Sequence, residues 1–225
     1  MTGPTSRDAL RADLAALEAA TGRLLDSLEP LGDAAWREPS LLPGWTRADT
    51  AGHIARNAEA LVRLVGWART GVPSPMYASV QDRAEGIESA AALPGPQLRT
   101  LVAASAEALD AALAGLADAD DEALDRLVYF GAQEPVGGPD TPARELAWAR
   151  LREVEIHHVD LGLDYGPHDW PPGFVDRALA WIEARTGGTD VVGAPAEVLA
   201  WRLGRGAGPT VRATDGGDPP EPPPW

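Results

Sequence analysis

Core-forming residues recur at Leu10, Leu14, Leu17, Thr21, Leu24 and Leu28, at intervals that alternate four and three. That is the seam of an amphipathic helix packed in a bundle, and it predicts a first helix from about Ser6 to Leu28. In "PGWTRAD", Thr46 and Asp49 have capping-box spacing, and the apolar residues beyond them predict a long helix to about Thr70, stopped by Gly71 and Pro73. A shorter helix is expected over about 80–92, ending at "LPGP". Another is expected over about 97–117, where Leu98, Leu101, Val102, Leu109, Leu113 and Leu116 fall at helical intervals. After an extended "RLVYF" and a turn-rich "GAQEPVGGPDTP", Thr141 can cap and Pro142 can open a further helix that Gly162 ends.

Four long helices with short connections read as a mainly α fold, an antiparallel four-helix bundle over residues 1–165. Beyond "DYGPHDWPP" the pattern changes to two shorter helices, near 174–185 and 194–203, then a β-like "TVRAT" and a Pro-rich tail. These predict a small appended α+β domain over 166–225. No internal repeat is visible.

Composition narrows the partners. The formal net charge of -15 argues against nucleic acid, whose binding rests on clustered basic groups, and against an anionic lipid surface. No apolar run approaches the ~20 residues of a membrane span, and "MTGPTSRDALRAD" lacks the basic start and apolar middle of a signal peptide. A cytoplasmic protein is expected. All 19 basic residues are Arg, which reads as the codon bias of a GC-rich genome. Zero Cys removes disulfides, a cysteine nucleophile and thiolate ligands together, so His and carboxylate are the strong metal ligands left. The sequence carries no signal for an oligomeric state.

Candidate chemistry concentrates in "LREVEIHHVDLG", residues 151–162. Side chains three or four apart share a helix face, so Glu153 and His157 point the same way while Glu155 lies on another side. A Glu and a His at this spacing can hold one borderline metal but supply two ligands only. His53 is the candidate third, from a separate long helix whose core face includes Asn57, Ala60 and Leu64. The resulting two-His, one-carboxylate site would leave a coordination position open. From spacing alone that reading stands level with a buried histidine on one helix and a Glu–His pair on another. Asp49 is either a cap or an acceptor that orients His53, and Asp160 either an acceptor for His157 or part of the helix end. His158 is a fallback ligand or packs, and His168 is a loop histidine. Trp45, Trp170 and Trp225, beside Gly or Pro, are accounted for by packing at turns and ends.

"LLPGWTRADTAGHIARNAEAL", followed much later by "LAWARLREVEIHHVDLG", resembles the mycothiol-dependent maleylpyruvate isomerase family. "EVLAWRLGRG" and the closing "PPEPPPW" are similar to that family's carboxy-terminal domain and tail. The resemblance implies a DinB-like bundle, with His53, Glu153 and His157 as zinc ligands. It further implies mycothiol as cofactor, a small cysteine-bearing glycoside that is the main thiol of actinobacteria; Asn57, on the core face of the His53 helix, is the cofactor-binding candidate. The implied reaction is cis–trans isomerisation of maleylpyruvate to fumarylpyruvate by reversible thiolate addition to the double bond. A dicarboxylate entering so acidic a protein needs a local cation, for which Arg205 is the first candidate and Arg202 the second. The short stretch between Thr186 and Ala194 implies a reduced sheet in the appended domain. Two other readings remain open at this point: a mycothiol S-transferase that conjugates electrophiles, and a metal-stabilised binding module without turnover.

Overall fold

The computed structural model describes residues 6–131 and 140–222. Its chain divides into two compact units, Met1–Gly162 and Leu163–Trp225. The first runs α1 (Ser6–Leu28), a one-turn α2 (Asp33–Trp36), α3 (Arg47–Thr70), α4 (Val80–Ala91), α5 (Gly95–Ala117), α6 (Asp121–Asp125), β1 (Leu127–Tyr129), β2 (Asp140–Pro142) and α7 (Leu146–Asp160). The long helices close a ring, with α1 against α5 and α7, and α3 against the same two. Leu10, Leu17, Thr21, Leu24 and Leu28 of the predicted seam are buried, while Leu14 stays half-exposed.

Helix boundaries follow their sequence signals. Thr46 and Asp49 form the reciprocal capping box at the start of α3, with Asp49 Oδ2 accepting from Thr46 N at 2.8 Å. Gly71, in the left-handed region at φ 74°, ends that helix, a conformation that glycine adopts without steric cost. Gly162 does the same beyond α7 at φ 64°.

The start of α7 differs from expectation. Thr141 and Pro142 do not cap or open a helix; they belong to β2, which pairs antiparallel with β1 in the register Val128↔Thr141 and Leu127↔Pro142. Proline tolerates the end of a short strand because it has no N–H to place there. A 3-10 turn at Ala143–Glu145 then leads into α7. Most of the turn-rich segment before it, residues 132–139, lies outside the described residues.

One more correction concerns α5, which reaches a mean hydropathy of 1.4 and is long and apolar enough to cross a membrane by length and composition. Here it is a bundle helix, burying Leu98, Val102, Leu109, Leu113 and Leu116 and packing against α3 and α1.

The second unit holds α8 (Pro172–Thr186), β3 (Val191–Val192), α9 (Pro195–Arg202) and β4 (Arg212–Ala213). Its sheet is as reduced as expected, two strands of two residues paired antiparallel. Val191, Trp201 and Val211 form a small core there, and Trp201 Nε1 donates to Pro220 O at 3.0 Å. Trp170 is buried and packs on Phe174 at a ring separation of 5.9 Å, whereas Trp225 lies outside the described residues. The protein is mainly α with a small strand component.

Candidate metal centre

The second turn of α3 places His53 in the bundle interior beside Gly52. A Cβ at Gly52 would lie 3.1 Å from Ile87 O and 3.2 Å from Ala90 Cβ, so glycine is what allows α4 this close to the histidine. From the facing helix α7, Glu153 and His157 share one face as the helical period requires. His53 Nε2 lies 3.0 Å from Glu153 Oε2, and His157 Nε2 lies 3.6 Å from the same oxygen. The imidazoles meet edge to face, centroids 4.7 Å apart.

Each member is held from behind. His157 Nδ1 donates to the fully buried Asp160 at 2.8 Å, which leaves Nε2 with its lone pair toward the cluster. Arg150, buried one turn before Glu153, donates to Ile54 O at 2.8 Å and to Asn57 Oδ1 at 2.9 Å, tying α7 to α3. Arg47 ties the same helices at the other side of the cluster, donating to Leu161 O and Gly162 O at 3.0 and 3.1 Å. Trp45 stands edge-on to His53 with centroids 5.9 Å apart. Arg83 of α4 donates to His53 Nδ1 at 3.3 Å.

The protonation states suit a cation. Burial lowers the His53 pKa, outweighing the Glu153 bond that works to raise it, so the ring is neutral near pH 7. Burial alone would raise Glu153, but its bond to His53 and the charges of His53, His157 and Arg150 win and hold it at about 2. Burial likewise lowers Arg150, to about 10, which leaves it charged near neutrality.

A cavity of about 270 Å³ opens over the cluster, its wall completed by Asn57, Met76, Tyr77, Arg83, Phe130 and Gly131. The cluster itself is the one group of metal-ligating side chains of this kind among the described residues, its ligand atoms all within 4.8 Å of one another. Two imidazoles and a carboxylate on zinc, with bonds of about 2.1 Å, would stand roughly 3.4 Å apart. The 3.0 and 3.6 Å contacts of the two imidazoles with Glu153 bracket that spacing, so these residues could hold a metal of this kind.

A family model described as the mycothiol maleylpyruvate isomerase N-terminal domain matches residues 17–162. The chain belongs to this family. A crystal structure of the mycothiol-dependent maleylpyruvate isomerase is 30% identical, covering 96% of this chain and 97% of that one, with a TM-score of 0.84. The crystal structure of a histidine-to-alanine mutant of that isomerase gives the same figures. No curated protein matches the chain. Relatives of this kind make it a member of an enzyme family.

For this maleylpyruvate isomerase family member, the structure puts Glu153 and His157 on one face as their spacing required and brings His53 of α3 to them, with Asn57 on the same cavity wall. Asn57 Oδ1 is taken by Arg150. Glu155 faces elsewhere, buried and paired with Arg23 at 2.6 Å. Of the open alternatives, Asp49 is the cap and Asp160 the acceptor for His157. His158 packs, within 2.9 Å of Ser27 Oγ, and the exposed His168 lies 3.7 Å from Glu197. Arg202 and Arg205 lie in the second unit. Arg202 is buried and donates to Thr186 Oγ1 and Gly187 O, closing the end of α8, and Arg205 donates to Leu203 O.

Sequence reasoning missed Arg150, Arg83, Tyr77 and Trp45. Arg150 had a usable signal, a cation three residues before Glu153 on an otherwise buried helix. Arg83 had none, because its place depends on how closely α4 packs at Gly52.

Proposed function

We propose that the protein is a zinc- and mycothiol-dependent isomerase converting maleylpyruvate to fumarylpyruvate by reversible thiolate addition to the cis double bond. The observation that carries this reading is the His53–Glu153–His157 cluster on the floor of a small cavity, in a chain of this family. Three protein ligands suit a catalytic zinc with a position left for a reactant. The chain has no cysteine, so the sulfur must come from a separate thiol, and a reduced thiol fits a cytoplasmic setting. Bound together, metal and thiol would supply a thiolate nucleophile at neutral pH, since the metal lowers the thiol pKa.

The chain's own residues prepare that site. Asp160 fixes the His157 tautomer, and Arg150 fixes the α3 backbone behind His53 and the Asn57 carbonyl. Met76 and Phe130 give the cavity an apolar side that limits water around a reacting double bond. Arg63 Nε holds that side in place through Met76 O at 2.9 Å. Arg205 is kept in the proposal as a cation for the substrate. Replacing it with Ala is expected to lower kcat/KM by ~10²-fold with zinc binding unchanged, and an unaltered kcat/KM would remove it.

The test of the function is an assay with mycothiol and maleylpyruvate, run on zinc-loaded and on chelated protein. Fumarylpyruvate formation that needs both zinc and thiol supports the isomerase. Mycothiol consumed into a stable conjugate would identify a thiol transferase instead.

A further inference from the structure

Arg83 carries an arrangement that the reaction as described does not use. Tyr77 and Arg83 line both the metal-ligand cavity and a neighbouring cleft of about 400 Å³. That cleft holds two further arginines. Arg56 is bound to Glu59 at 2.7 Å, and Arg63 donates to Met76 O. Arg83, unlike Arg56, forms no ion pair with a carboxylate among the described residues; its neighbours are neutral, the Tyr77 phenol, whose ring lies 5.9 Å from the guanidinium, and His53 Nδ1, to which it donates.

The chemistry of that contact fixes the proton. Arginine has donors only, so Nδ1 of His53 accepts here, and Nε2 carries the hydrogen given to Glu153. A metal ligand nitrogen needs its lone pair. Were Nε2 to hold a metal, the ring hydrogen would lie on Nδ1 and face the guanidinium, and Arg83 would lose His53 as an acceptor while keeping its charge and its neutral Tyr77 neighbour. A cation at the wall of a small cavity, released in this way, is matched by an incoming anion.

We propose that Arg83, in the cavity wall beside the metal-ligand cluster, receives one anionic group of the substrate, a carboxylate or an enolate oxygen. This rests on reading the cavity as a metal-dependent isomerase site. The planar guanidinium suits a carboxylate through paired hydrogen bonds, and its place beside His53 sets the bound anion next to the metal ligands rather than out in the acidic surroundings.

The experiment titrates the zinc-loaded full chain with succinate, a dicarboxylate with no double bond to react, using calorimetry with zinc content measured on the same samples. Arg83→Ala should keep its zinc and bind succinate about tenfold or more weakly, the scale of one lost charged hydrogen bond. Arg83→Lys should recover part of the affinity, since it restores charge without the paired geometry. Unchanged succinate affinity in Arg83→Ala, or no succinate binding by the wild type, overturns the proposal. So does loss of zinc from Arg83→Ala, which would make Arg83 a support for His53. Wild-type protein that binds succinate through Arg83 yet does not turn over maleylpyruvate sinks the isomerase reading and leaves the Arg83 assignment standing.

Discussion

His53 Nε2 and Glu153 Oε2 lie 3.0 Å apart although 100 positions separate the two residues along the chain. Two different helices of the bundle must therefore pack correctly before the candidate site exists, and the site reports on the fold as well as on the chemistry.

Removing either imidazole should empty the site without melting the bundle. His53→Ala and His157→Ala are each expected to lose bound metal while keeping the helical circular dichroism of the wild type, because burial of the leucine seams supplies most of the stability. Stoichiometric metal retained in both variants would show that the ligands are elsewhere.

Glu153 and Glu155 should separate cleanly. Glu153→Gln exchanges a charged ligand oxygen for a neutral one and should weaken metal binding roughly 10-fold or more. Glu155→Gln should leave metal affinity alone and instead destabilise the fold by about 1–3 kcal/mol, since it removes the charge from the bond between the buried Glu155 and the partly exposed Arg23. Metal titration and urea unfolding on both variants check this, and the reverse assignment would mean α7 is rotated.

Asp160→Asn probes the support behind His157. An amide at this position can donate to Nδ1, which would leave the ring hydrogen on Nε2, the nitrogen wanted for the metal. Metal affinity is expected to fall about 10–100-fold with the backbone intact. Wild-type affinity would demote Asp160 to a helix-end contact.

Acid should act on the metal-free protein through Glu153. Its carboxyl is held at about 2 in the fold against an ordinary value of 4.5. A depressed carboxyl contributes stability above its unfolded pKa, and that contribution is lost as pH falls through the folded one. Burial also keeps His53 below its ordinary 6.5, so protonating it opposes folding in the same direction. Unfolding free energy should thus decline as pH drops from about 4.5 toward 2, and Glu153→Gln should flatten that decline. Equal slopes in the two proteins would contradict an ionised, partnered Glu153.

How much of this was legible in the sequence depends on the range over which each feature is decided. The capping box at Thr46 and Asp49, the stop at Gly71 and the shared face of Glu153 and His157 are set within one or two helical turns, and each is found where the pattern placed it. Thr141 and Pro142 misled because their strand pairing is dictated by Val128 and Leu127, a partner segment that helix signals cannot register. Arg83 was invisible for a similar reason. Its reach to His53 depends on a glycine thirty-one positions earlier letting one helix settle against another.

Arg47 and Arg150 act as two rivets along the α3–α7 seam, one joining the start of α3 to the carbonyls beyond α7, the other joining α7 to Ile54 O. Between them the helices cannot slide or part without breaking charged hydrogen bonds, so the gap spanned by His53 and His157 behaves as a fixed gauge. An ion must match it through small side-chain torsions alone. Calcium, which prefers six to eight oxygens at about 2.3–2.6 Å, would meet two nitrogens and a single carboxylate, whereas a borderline ion such as zinc matches that donor set. The choice among metals would rest on this donor set, and the seam is what keeps its members in place.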